Sequence, residues 1–250
     1  MNDERPRAVV AEGFGSLLLA ATVVGSGIMG ERLAAGNDAV ALLANTGATM
    51  AVLAVIINLF APISGAHFNP VVTLVMVARR EIRWRLAVAY IAAQFAGCYA
   101  GMLLAHAMFA LPLWQHSVHA RSGLSQWLSE IVATLGLLCV VLGHRRKRDA
   151  PWLVAAWIGA AYWFTASTSF ANPAITVARS LSDTFSGIRP ADVPAFILAQ
   201  LLGGALALFV ARWWFPVGDS IPAMDPQSDF APSDRQSGVR IERDQPPRPS

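Results

Sequence analysis

Apolar residues run almost unbroken through six stretches, at about 8–30, 39–60, 84–111, 124–144, 151–167 and 191–214, each bounded by charged, Gly or Pro positions. A helix needs roughly 20 apolar residues to cross a bilayer, so the pattern predicts six transmembrane helices. Two further apolar segments, 69–78 and 172–181, are too short to cross, and each opens on Asn-Pro. They are expected to be re-entrant half-helices, which a membrane tolerates where protein shields their irregular ends from lipid. The predicted fold class is therefore an all-α membrane protein with six spans and two half-helices.

Composition points the same way. The 250 residues are 55% hydrophobic and 14% charged, which excludes an ordinary soluble domain and leaves no length for a separate catalytic one. Apolar character ends near residue 215, so residues 1–215 are expected to form one membrane domain. Residues 216–250, rich in Pro, Asp, Ser, Arg and Gln, are expected to be a disordered cytoplasmic tail. Cys98 and Cys139 stand apart in apolar stretches without CxxC or histidine spacing, so no disulfide or zinc site is indicated. Neither HExxH nor GxSxG occurs, so no enzyme, metal or cofactor is expected. Trp84, Trp114, Trp127, Trp152, Trp213 and Trp214 fall near span ends, where amphipathic rings anchor at the membrane interface.

Charge sets orientation. With the N-terminus inside, all but four of the nineteen lysines and arginines lie on the cytoplasmic side, the exceptions being Arg32, Arg121, Arg179 and Arg189. Both termini are thus expected in the cytoplasm, with the protein in a cell inner membrane. The run Arg145–Arg148 reads as a topology determinant between two spans rather than a nucleic-acid patch.

The chain also repeats itself. Glu12 in span one, Asn69-Pro70-Val71 after span two and Gln94 in span three are matched by Glu130 in span four, Asn172-Pro173-Ala174 after span five and Gln200 in span six. The units run from about 8 to 111 and from about 124 to 214. Three spans per unit is an odd number, so the second unit enters the membrane from the opposite side and the repeat is inverted. Asn is among the best helix N-caps, and Pro at the first helical position loses only an amide hydrogen that is unpaired there anyway. Two N-terminal ends facing one point gather positive partial charge, which suits water or a hydroxyl and repels cations.

The segments Ser64-Gly65-Ala66-His67-Phe68-Asn69-Pro70-Val71 and Ala171-Asn172-Pro173-Ala174 resemble the paired signatures of the aquaporin and aquaglyceroporin family, over about residues 8–214. The resemblance implies a homotetramer in membrane lipid, one pore per subunit, conducting small uncharged solutes and excluding ions and protons. It makes Asn69, Pro70, Val71, Asn172, Pro173 and Ala174 the central constriction. Glu12 and Glu130 become acceptors for the bare amides of the re-entrant loops, with Gln94 and Gln200 as interior hydrogen-bonding partners. His67 is read as fixing its loop, with titration in the pore as the other reading.

Two positions depart from the usual family pattern. Val71 stands where Ala is usual, and Ile175 stands where the family usually has Arg directly after its second motif. Carried over by distance from the Asn anchors, the outer filter becomes Thr49, Ala160, Ser169 and Ile175, with no bulky aromatic or arginine. Such a filter is expected to be wide and to admit glycerol, urea and neutral hydroxides such as arsenous acid. The second motif is also similar to that of the bacterial branch associated with arsenic resistance. Arg179, one helical turn beyond Ile175, is a candidate for the missing charge at the outer mouth. The alternative function is an inverted-repeat secondary transporter, which needs coupling-ion ligands that the sequence does not display.

Overall fold

The computed structural model describes residues 4–143 and 149–215. The basic run at 145–148 and the proposed tail at 216–250 lie outside the described residues. Among the described residues the regular structure is all helix: α1 (Glu4–Leu33), α2 (Asp38–Ser64), α3 (Pro70–Ala78), α4 (Trp84–Met108), α5 (Leu124–Gly143), α6 (Ala150–Phe164), α7 (Pro173–Ser180) and α8 (Val193–Trp214), the last entered through a 3-10 turn at Pro190–Asp192.

The packing repeats with the sequence. In the first unit α1 packs on α2 and α4; in the second α5 packs on α6 and α8, and α2 meets α6 across the centre. Each half-helix also packs on the third long helix of the other unit, α3 on α8 and α7 on α4, so the units interlock. Lipid gives little hydrophobic drive for helix association, so close contact depends on small residues at the crossings. At the α1–α4 crossing a Cβ on Gly97 would collide with the Gly13 carbonyl, and at the α5–α8 crossing one on Gly203 would lie 2.7 Å from the Ile131 carbonyl oxygen.

Five of the six long elements are apolar and long enough to span a membrane. The exception is α6, which has 15 residues and is about 22 Å long. It stops at Phe164, three residues before the predicted end of that span, because the chain leaves the helix at Thr165 to build the loop ahead of Asn172. The fourth helix likewise ends at Met108, short of the predicted residue 111.

Candidate functional site

The site is built where α3 and α7 point their N-termini at each other. Asn69 and Asn172 sit in extended conformation at the two starts, with φ of −152° and −154°. The Asn69 Oδ1 accepts from the Val71 amide at 2.9 Å, and that of Asn172 from the Ala174 amide at 3.0 Å. Each side chain then reaches across the centre. Asn69 Nδ2 donates to the Ala171 carbonyl at 2.7 Å, and Asn172 Nδ2 to the Phe68 carbonyl at 2.8 Å.

Those two carbonyls are presented by strained backbone. Counting back from each Asn, the first and third residues have left-handed φ: Phe68 (47°) and Ala66 (52°) in one loop, Ala171 (47°) and Ser169 (51°) in the other. Non-glycine residues resist this conformation, so the surroundings must hold them there. Two buried carboxylates do so. Glu12 accepts from the amides of His67 (2.9 Å) and Phe68 (2.7 Å), from Ser64 Oγ (2.7 Å) and from Gln94 Nε2 (2.8 Å). Glu130 accepts from the amides of Phe170 (2.9 Å) and Ala171 (2.8 Å), from Ser167 Oγ (2.6 Å) and from Gln200 Nε2 (2.7 Å). Four donors on each anion are what makes a fully buried carboxylate tolerable at that depth.

Sequence reasoning missed four members of this frame. Ser64 and Ser167 stand five residues before the Asn anchors, and Thr73 and Thr176 stand four after them. Gln94 donates to Thr73 Oγ1 at 3.0 Å and Gln200 to Thr176 Oγ1 at 2.9 Å, while each Thr hydroxyl donates to the carbonyl of its own Asn. Their identical spacing in both units was the available signal.

A cavity of about 360 Å³ passes between the half-helices. Its wall joins Glu81 and Met76 at one end, Asn69 and Asn172 at the middle, and Thr49, Ser169, Ile175 and Arg179 at the other. The rest is largely aliphatic, from Leu19, Val23, Leu53, Ile57, Leu137 and Ile158. His67 also lines it, fixed by Nδ1 at 3.1 Å from Thr73 Oγ1 and by an edge-on contact with Tyr90.

Two sets of expected residues are placed elsewhere. Pro70, Val71, Pro173 and Ala174 are buried but do not line the cavity; only Asn69 and Asn172 of that set do. Val71 packs with Val75 and Leu138, and Ala174 belongs to the main apolar core. Ala160 is exposed on the outer face of α6. The α6 residues that reach the cavity are Ala150, Val154, Ile158 and Tyr162; Ile158 and Tyr162 lie on the side of the helix opposite Ala160, and the Tyr162 hydroxyl lies 3.3 Å from Thr49 Oγ1. That end of the cavity therefore does contain an aromatic.

It also contains an arginine. Arg179, 2% exposed, projects from α7 with its guanidinium carbon 3.4 Å from the centroid of the Phe170 ring. Its Nε donates to the Ser186 carbonyl, while its NH1 has no protein partner. Arg121, which the sequence gave no reason to select, lies 5.2 Å from the same ring centroid and donates from Nε to the Gly187 carbonyl at 2.8 Å.

Comparison with known proteins places this arrangement. Residues 2–165 match the family model described as Major intrinsic protein. The chain is 54% identical over 209 residues to Aquaglyceroporin AqpS of Rhizobium meliloti, covering 83% of this chain and 89% of that protein. It is 27% identical to a probable glycerol uptake facilitator protein of Thermotoga maritima, covering 82% and 98% respectively. In fold it is similar to the X-ray structure of the aquaglyceroporin from Plasmodium falciparum, with a TM-score of 0.63 at 17% identity, covering 83% of this chain and 95% of that one.

Proposed function

The chain belongs to the major intrinsic protein family, and on that premise we propose that its cavity passes glycerol and water, and beyond them urea and neutral hydroxides such as arsenous acid. As a member of that family it is a passive, multi-pass membrane channel and not an enzyme. The observation that carries the solute range is the cavity itself: one continuous space whose wall is mostly aliphatic, with polar groups confined to a few levels. An aliphatic wall accommodates the carbon side of a polyol, while Thr49, Tyr162 and Arg179 offer hydrogen bonds to its oxygens at the outer end.

Ion exclusion rests on the centre. Two helix N-termini converge there and each Asn Oδ1 already accepts from its own half-helix, so a cation meets positive partial charge with no anionic ligand to replace its water. Both termini are assigned to the cytoplasm of a cell with an inner membrane, following the Lys/Arg distribution. Large apolar side chains left exposed on the long helices, such as Leu43, Val55, Leu59 and Phe209, suit lipid and the flanks of a homotetramer.

The test is stopped-flow swelling and shrinkage of proteoliposomes with water, glycerol, urea and arsenous acid side by side. Glycerol flux above that of protein-free vesicles, linear in the gradient, is expected. Saturable flux coupled to an ion gradient would replace the channel with a transporter.

A further inference from the structure

Between α7 and the 3-10 turn, Ser182, Thr184 and Ser186 alternate along the chain, and their hydroxyls form a row. Ser182 Oγ is 3.0 Å from Thr184 Oγ1, and that atom is 3.3 Å from Ser186 Oγ. The row ends on His106, a fully buried residue in the last turn of α4, whose Nε2 is 2.8 Å from Ser182 Oγ. The other ring nitrogen, Nδ1, is 3.1 Å from the Leu113 carbonyl oxygen.

That carbonyl can only accept, so Nδ1 carries the hydrogen, and in the neutral ring Nε2 is the acceptor. With the ring neutral, the Ser182 hydroxyl donates to His106, Thr184 to Ser182, and Ser186 to Thr184. All three hydrogens point toward the histidine, and the direction of the row is set by one ring. At its far end, the carbonyl of Ser186 accepts from Arg179 Nε. A buried histidine on one helix is thus joined, through a segment with no regular secondary structure, to the guanidinium that lines the outer cavity.

We infer that His106 is a positioning residue for the outer constriction: through the Ser182–Thr184–Ser186 row it fixes the segment whose Ser186 carbonyl holds Arg179 against Phe170. Arg179 NH1 has no protein partner, so Nε and the ring contact are what keep the guanidinium at the wall. Released from Ser186, it swings into the lumen and narrows the passage for a polyol before it hinders water. The inference rests on the channel reading for its flux measurement only.

The experiment uses two variants that cut the row and one that preserves it. His106→Asn keeps a donor for Leu113 but is too short for Ser182; Ser182→Ala removes the same bond without altering α4. His106→Gln restores an acceptor at the Nε2 position. The glycerol-to-water permeability ratio, measured in one vesicle preparation at equal abundance, is expected to fall about fivefold in the first two, the size set by one hydrogen bond, and to stay near wild type in His106→Gln. Amide hydrogen exchange in residues 181–188 is expected to quicken in the same two variants. An unchanged ratio in both cutting variants, or equal loss in His106→Gln, overturns the inference. If the wild-type protein passes no solute, the channel reading falls by itself and exchange decides: unaltered exchange in Ser182→Ala overturns the positioning role.

Discussion

Asn69 and Asn172 hold each other's loops: each side-chain amide donates to the carbonyl of the residue that precedes the other asparagine, at 2.7 and 2.8 Å. The same two side chains cap the half-helices they begin. Capping, loop geometry and the proposed central electrostatic barrier therefore share one pair of side chains and are expected to fail together.

Asn172→Asp keeps the cap acceptor but replaces the donor toward the Phe68 carbonyl with an anionic oxygen. A carboxylate facing a carbonyl is repelled, and it offers a ligand to a passing cation. Cation conductance in planar bilayers is expected to rise while stability falls by about 1–3 kcal/mol. Wild-type conductance with retained solute flux removes Asn172 from the barrier.

The wall of α6 is tested by a pair of substitutions. Tyr162→Ala removes a ring that reaches the cavity and is expected to raise glycerol permeability relative to water. Ala160→Leu changes the outer face of the same helix and is expected to leave that ratio unaltered. The opposite pattern restores Ala160 to the filter.

Ile175 lies beside Arg179 in the cavity wall. Ile175→Arg adds a second planar cation to a space that already contains one, and it is expected to reduce glycerol flux more than water flux. A uniform reduction of every flux shows that Ile175 does not select between solutes.

Glu130 accepts four donors in a fully buried place. In Glu130→Gln one oxygen becomes an NH₂ group facing N–H donors, which leaves unsatisfied groups on both sides. A loss of ~3 kcal/mol is expected, read as a lower unfolding temperature in detergent and a smaller folded fraction. Glu12→Gln is expected to match it, because the two networks correspond bond for bond. Unfolding temperatures of both variants within a degree or so of wild type would show that neither carboxylate supports its loop.

The loop between α4 and α5 carries a pH dependence. Burial, with the nearby cations of Arg121 and Arg179, lowers the pKa of His119 below its ordinary 6.5. The folded state then binds fewer protons than the unfolded one, so the stability this group supports is present above its unfolded pKa and declines as pH falls through it. Amide protection around Arg189, whose N–H bonds the His119 carbonyl at 2.7 Å, is expected to fall between about pH 7 and about pH 5 once the intrinsic pH dependence of exchange is divided out. His119→Gln should flatten that response, and an unchanged profile would assign it to another group.

By itself the sequence determined the helical elements, the duplication and the anchors Asn69, Asn172, Glu12, Glu130, Gln94 and Gln200, because each is written in local chemistry: apolar run length, Asn-Pro caps and matched spacing. The tertiary structure alone decided which side chains form the outer wall. A helix turns by about 100° per residue, so a two-residue error in register moves a side chain by about 200°, nearly to the opposite side. That is the difference between Ala160, which faces outward, and Tyr162, which meets Thr49. Nor could the sequence show the left-handed φ at Ala66, Phe68, Ser169 and Ala171, since none is glycine and the conformation is held by carboxylates from distant helices. Arg179 against Phe170, and His106 at the end of its hydroxyl row, are likewise contacts between side chains that only the closed inverted repeat brings together.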